Sequence, residues 1–257
     1  MERFYYLIHI QYLGFRFHGW MVQPDVKTIQ KMVDKTVRFI CGHENFKTLG
    51  SSRTDAKVSA TEMAFELFIF EKLDEVEFLD LLNLNLPNDI RATSVREVDS
   101  KFNVIQHSKI KEYIYFFAFG EKPHPFSAPF IATFLEDLDV DEMKKAAALF
   151  EGRHNFRQYC KKPSPHTILE REVLTSHIEE NDIYTANFFP EKSFAYRVKA
   201  SGFLRNQVRL MMGQLLEVGR GNKTIEDIRE SLKGESGQTF DTIAPAAGLV
   251  LHSIEFE

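Results

Sequence analysis

Apolar residues recur along the chain at two periods. Where they crowd together with β-branched and aromatic neighbours a strand is expected, and where they return every three or four positions a helix. FYYLIHIQY (4–12) reads as a strand. In TIQKMVDKTVRFICG, Ile29, Met32, Val33, Val37 and Ile40 fall at helical spacing, with Thr28 as N-cap and Gly42 as stop. TEMAFELFIFE (61–71) predicts another strand. EVEFLDLLNLNLP predicts a helix that ends before Pro87, because the residue preceding a proline disfavours helical geometry.

The second half has a similar outline. KEYIYFFAFG (111–120) is a strand, followed by a Pro-rich loop, EKPHPFSAPF, that suits no regular element. VDEMKKAAALFEG predicts a helix capped by Asp141 and closed by Gly152, with strands near 171–180 and 194–201. FLRNQVRLMMGQLLEVG (203–219) predicts a helix whose apolar face is Leu204, Val208, Met211, Met212 and Leu215, with Gly219 as C-cap. A shorter helix, TIEDIRESLKG, opens on Thr224 and Asp227 as a capping box, with Gly234 beyond it. GLVLHSIEF is a last strand.

Strands and helices are mixed without strict alternation. That predicts an α+β fold, mostly antiparallel sheet with helices on one face. The shared order in both halves predicts two similar lobes, 1–104 and 105–257, around a central cleft where a ligand would bind.

Composition narrows the class. With 44% hydrophobic residues and 24 Phe the chain can bury a sizeable core. Cys41 and Cys160 match no zinc or redox spacing and are expected to be buried, reduced thiols. The first residues do not read as a signal peptide, and no apolar run approaches the ~18 residues of a membrane span. A soluble cytoplasmic protein is expected. A net charge of −5 argues mildly against a polyanionic partner, yet its distribution argues back. Residues 71–100 hold eight acids against three cations, whereas 195–223 hold six cations against Glu217 alone. Local basic surface, not the total, decides binding to nucleic acid.

Candidate chemistry begins with SSRTDAKVSA (51–60), where Asp55 stands between Arg53 and Lys57 among small residues. One reading is a turn in which Asp55 bonds its own backbone; the other is an ionised nucleophile guarded by cations. YLGFRFHGWMVQPDVKTIQ (12–30) reads as a hairpin packed by Trp20. Tyr113 and Tyr115 share one strand face beside Lys109 and Lys111, either as core or as a stacking platform next to phosphate-binding charge. Arg205 and Arg209, four apart, share a helix face. Arg209 lies about 60° from Met212, at the border of the apolar stripe, where its guanidinium can reach a carboxylate or a phosphate. DTIAPAAGLVL (241–251) alone means a turn beside a strand.

Taken in order, YLGFRFHGW, TIQ after QPD, RTD, KEYIY, GRHNF, FLRNQVRLMMGQLLEVGRG and APAAGLVL resemble the TruA-type tRNA pseudouridine synthases over nearly the full length. The resemblance implies a cofactor-free, metal-free enzyme that isomerises uridine to pseudouridine in RNA, typically in the tRNA anticodon stem-loop, and a homodimer. It matches Asp55 to the catalytic aspartate, Arg53 to the arginine that displaces the base, Tyr113 to the tyrosine stacked on the uracil, and Arg209 to the aspartate's partner. Lys57, Lys111, Arg205 and Arg220 are the further cations expected to meet RNA. The family pattern G-R-T-D-x-G-V-H-A is broken here by Ser52, Lys57 and Ser59, and Met21 and Met63 stand where Gln is common. If position 57 needs a positive φ, a lysine there carries strain or forces another turn. The competing readings are the same chemistry on another RNA, an inactive RNA-binding module, and an unrelated hydrolase using Asp55.

Overall fold

Ten strands and five α-helices make up the computed structural model, which describes residues 2–257. They divide into two units, Met1–Lys109 with Val250–Glu257, and Ile110–Leu249.

In the first unit β1 (Phe4–Tyr12) lies antiparallel to β3 (Ser59–Ile69) on one side and to β4 (Ile90–Glu97) on the other. The far edge of β3 is shared. Its later half takes β2 (Phe46–Gly50) antiparallel, and its start takes β10 (Leu249–Phe256) parallel through Val250 and Leu251. Successive residues Tyr6, Leu7 and Ile8 are all buried, so both faces of the sheet are covered. On one face Leu7 and Ala64 pack with Val104, Leu49, Val98, Phe102 and Phe256. Helix α1 (Ile29–Cys41) buries Ile29, Val33 and Val37, and α2 (Glu75–Asn85) buries Phe78 and Leu82. The ends of α1 are those the sequence specifies. Thr28 accepts from the Lys31 N–H, and Gly42 takes φ +73 with its N–H on the Arg38 carbonyl.

The second unit contains β5 (Ser108–Phe119) from Ile110 onward, β6 (Ala132–Phe134), β7 (Gly152–Asn155), β8 (Glu170–Glu180) and β9 (Phe194–Ala200). They run β6-β5-β9-β8-β7, antiparallel except for β5 with β6. Helices α3 (Val140–Ala148) and α4 (Gln207–Gly219) pack together, and α5 (Ile225–Ser231) starts with the expected capping box of Thr224 and Asp227. The fold is thus α+β and mostly antiparallel, as expected.

Several details differ from expectation, each for a local reason. β3 occupies 59–69 instead of 61–71, because its partners end there: Phe4 and Phe46 both pair with Ile69. The cap of α3 is Asp139, which accepts from the Glu142 N–H, and not Asp141, which sits in the first turn. Gly152 does not close that helix; it opens β7 at φ +96. α4 begins at Gln207, not 203, because Asn206 adopts the left-handed conformation, φ +62. Gly219 is its last residue, and Arg220 is the C-cap. α4 is not half-exposed either: all but Arg209 and Glu217 are buried. Residues 14–20 form a 3-10 turn, Gly14–Arg16, and a loop in place of a hairpin. Pro125–Ser127 of the Pro-rich segment is also a 3-10 turn. β2, β4, β6 and β7 escape sequence reading because they are short or polar. In β4 a register shift opposite His9 and Ile10 breaks the alternation of Ile90, Ala92 and Val95.

Cys160 is buried and Cys41 only half-buried, and both are free thiols. Burial and the neighbouring Glu71 carboxylate push the Cys41 thiol up to about 12. No helix among the described residues is long and apolar enough to cross a membrane.

Candidate active site

Asp55 sits half-buried in the loop that joins β2 to β3. The loop is gripped by the segment that follows β1, in part through main-chain atoms. Trp20 donates its N–H to the Thr54 carbonyl at 3.3 Å, and Lys57 donates to the Phe17 carbonyl at 2.9 Å. The Val58 N–H closes a turn on the Asp55 carbonyl at 3.2 Å. Such contacts need the two backbones almost touching. A Cβ on Gly14 would overlap the Val58 carbonyl, and one on Gly19, already at φ +82, would overlap that of Thr54. This is why the aromatic run GFRFHGW is broken by glycines.

Side chains complete the grip at three points. The Tyr12 hydroxyl meets Thr54 Oγ1 at 2.9 Å and also bonds Met63 Sδ at 3.3 Å. Ser59 Oγ accepts from the buried Gly14 N–H at 2.9 Å. Trp20, 2% exposed, packs on Gly50 and tilts against Phe65. The substituted positions therefore make bonds of their own, with Met63 and Ser59 each accepting one.

Lys57 keeps the turn in place at a cost. It adopts φ +68, a left-handed conformation that burdens a side chain bearing a Cβ by about 1 kcal/mol or more. Its ammonium lies 5.8 Å from the centroid of the Phe15 ring, an exposed contact worth about 0.5–1 kcal/mol at most. The strain foreseen for a lysine at this position is present. Arg53 and Lys57 are both exposed.

In the second unit, Arg209 lies in the first turn of α4 and is fixed from both sides by Ala244. Its Nε donates to the Ala244 carbonyl at 2.8 Å, and its own carbonyl accepts the Ala244 N–H at 3.0 Å. The next residue of that segment, Pro245, accepts a 2.8 Å bond from the Tyr115 hydroxyl. Gly248 then accepts the Phe116 N–H at 2.8 Å. Burial raises the Tyr115 hydroxyl far above its ordinary pKa even though the Arg209 charge opposes this, so it remains a neutral donor. Tyr113, on the same face of β5, stands edge-on to Phe203 with ring centroids 5.3 Å apart. Tyr115 is thus a core residue with a positioning bond. The turn APAAG has a task that the sequence alone did not disclose: it orients Arg209.

The other expected cations are distributed unevenly. Arg205 is exposed but precedes α4, so it does not share a helix face with Arg209. Lys111 is half-buried, which lowers its pKa. Arg220 binds Glu217 at 2.7 Å and Glu136. Arg197 pairs with Glu112 and Glu179, and Lys199 with Glu112. Lys223 bonds Gln214 and rests on the Phe240 ring. The basic run 195–223 therefore does not present its whole charge to a polyanion: Arg197, Lys199 and Arg220 are spent on carboxylates.

Comparison with known proteins decides the family. "tRNA pseudouridine synthase A 2" of Bacillus thuringiensis subsp. konkukian is 34% identical over 253 residues, 98% of this chain and 99% of its own. "tRNA pseudouridine synthase A" of Dictyoglomus thermophilum is 31% identical, covering 97% of this chain and 98% of its own. The chain belongs to the tRNA pseudouridine synthase family. The family description "tRNA pseudouridine synthase" itself matches residues 146–257. A solved structure, "Crystal structure of the archaeal box H/ACA sRNP Nop10-Cbf5 complex", aligns with 82% of this chain and 53% of that one at 15% identity and a TM-score of 0.31.

Proposed function

We propose that this member of the family isomerises uridine to pseudouridine in tRNA, with Asp55 as the nucleophile. The reaction breaks the bond between the anomeric carbon and N1 of uracil, turns the base and joins the same carbon to C5. C5 loses its proton and N1 gains one, so mass is unchanged. A carboxylate serves either by adding to C6 of the uracil or by attacking the anomeric carbon. The target base must first leave the stack, at a cost of a few kcal/mol. We assign Arg53 to the vacated space and the phosphates beside it, Tyr113 to the face of the uracil, and Arg209 to holding the nucleophile ionised. Lys57, Lys111, Arg205 and Arg220 are assigned to the RNA backbone. The anticodon stem-loop as target, a homodimer and a cytoplasmic site of action belong to the same proposal.

The observation that supports this best is the grip on residues 53–58. A carboxylate is held on a loop fixed by main-chain bonds to a neighbouring segment, with an exposed arginine two residues before it. Catalysis needs such fixity, since small displacements of a reacting group are costly. Turnover can be read from tRNA transcripts tritiated at uracil C5, which release tritium to water. Asp55→Ala is expected to abolish release, by about 10³-fold or more, while tRNA binding is largely kept. Release by the variant at the wild-type rate would overturn the assignment.

A further inference from the structure

We infer that Phe15 and Lys57 form a subsite for an unpaired nucleotide adjacent to the target uridine. The Phe15 ring takes the face of that base, and Lys57 and Arg53 take phosphates on either side of it. The inference deepens the proposed function and rests on it.

Four observations point this way. Phe15 is 40% exposed, although it stands on a short 3-10 turn with both neighbours fixed. The Gly14 N–H is bonded to Ser59 Oγ, and Arg16 is paired with Asp89. Lys57 Nζ lies over the Phe15 ring, 5.8 Å from its centroid, so an aromatic ring and a cation are presented together. No carboxylate pairs with the side chain of Arg53 or Lys57 among the described residues, whereas Arg16, Arg38 and Arg153 each have one. Finally, Lys57 holds a left-handed conformation that its ring contact does not offset, so the lysine disfavours stability where it stands. An exposed ring beside cations that no carboxylate neutralises is the combination that binds single-stranded nucleic acid, base on ring and phosphate on cation. The same charge favours RNA over an acidic protein surface by tracking a phosphate at each repeat.

The position limits which nucleotide is meant. Lys57 follows Asp55 by two residues, a reach of at most about 7 Å along the chain. The Lys57 N–H on the Phe17 carbonyl ties the turn carrying Phe15 to the same loop. Subsite and nucleophile therefore move as one body, and the base concerned neighbours the one that is flipped.

The test uses full-length protein and unmodified tRNA transcripts, with turnover and equilibrium binding measured separately. Phe15→Ala is expected to raise KM about tenfold, with Phe15→Trp near wild type. Lys57→Gly is expected to reduce the slope of log affinity against log salt by about 0.7–0.9 while raising the thermal midpoint, a split that a merely structural lysine would not give. A transcript made abasic at a nucleotide beside the modified uridine should bind wild type more weakly but Phe15→Ala no more weakly than intact tRNA does. Wild-type KM and salt slope in both variants, or an equal abasic penalty in wild type and Phe15→Ala, would overturn the subsite. If wild type binds tRNA with these dependences but forms no pseudouridine, the reaction assignment falls and the subsite stands. If wild type does not bind tRNA, both fall.

Discussion

The loop bearing Asp55 and the helix turn bearing Arg209 are both fixed, the loop in part through main-chain atoms and the helix turn through the Arg209 side chain as well. The loop is held by carbonyls and N–H groups of residues 14–20, with glycines admitting the close approach. Arg209 is held by its own side chain on the Ala244 carbonyl, beside a tyrosine bonded to the next carbonyl. Main-chain bonds tolerate a change of side chain; side-chain bonds do not. Lys57, one of the positions that break the expected pattern, is tied to Phe17 through its own N–H and not through its side chain.

The contrast can be broken or sharpened by substitution. The largest effect is expected for Gly14→Ala, which forces a methyl group onto the Val58 carbonyl and should cost about 3 kcal/mol in denaturant unfolding. A loss below about 1 kcal/mol would show that the loop yields more readily than its bonds imply. Arg209→Lys retains the charge but loses the Nε donor to Ala244, and should lower kcat about 10²-fold with folding intact. Wild-type kcat would mean that charge alone suffices. Ser59→Ala tests the one side-chain bond that serves Gly14. It leaves a buried N–H unpaired and should cost about 1–2 kcal/mol, measurable as a lower thermal midpoint.

The smallest effect concerns Glu66, a side chain of the first unit that holds a main-chain group. Its carboxylate is buried and accepts the Val104 N–H at 3.1 Å, and burial raises its pKa above the ordinary value of 4.5. Below that range both folded and unfolded chains hold the proton. As pH rises through it, the unfolded chain releases the proton first and so binds fewer protons, and stability falls until the raised value is passed. Glu66→Gln should remove this fall from the difference in thermal midpoint between pH 4 and 7. An identical pH profile in the variant would exclude Glu66 as its source.

Much of this was legible from residue order. Helix ends at Thr28, Gly42 and Thr224 follow from short-range chemistry: each threonine side chain satisfies a backbone N–H three residues on, and Gly42 takes the left-handed turn that puts its N–H on the Arg38 carbonyl. The strands rich in aromatic and β-branched residues, β1, β5 and β10, were equally plain. β2 and β4 were not, because their strand character comes from partners distant in the chain and, for β4, from a register shift. At the candidate site the sequence singled out Asp55, Arg53, Tyr113, Tyr115 and Arg209 but missed Tyr12, Thr54 and Ala244. The spacing of APAAG before the last strand was the available signal for Ala244, though nothing in the letters says that a carbonyl will meet a guanidinium.

By itself the sequence determined the α+β class, the family and the residue types offered for chemistry. Each of these follows from local propensity or from residue order. Only the tertiary structure decided that Arg197, Lys199 and Arg220 pair with carboxylates, that Lys57 takes a left-handed turn with its ammonium over Phe15, and that Ala244 aims Arg209. Those outcomes depend on pairings between residues far apart in the chain, and a pairing of that kind is fixed by packing and not by neighbours in sequence.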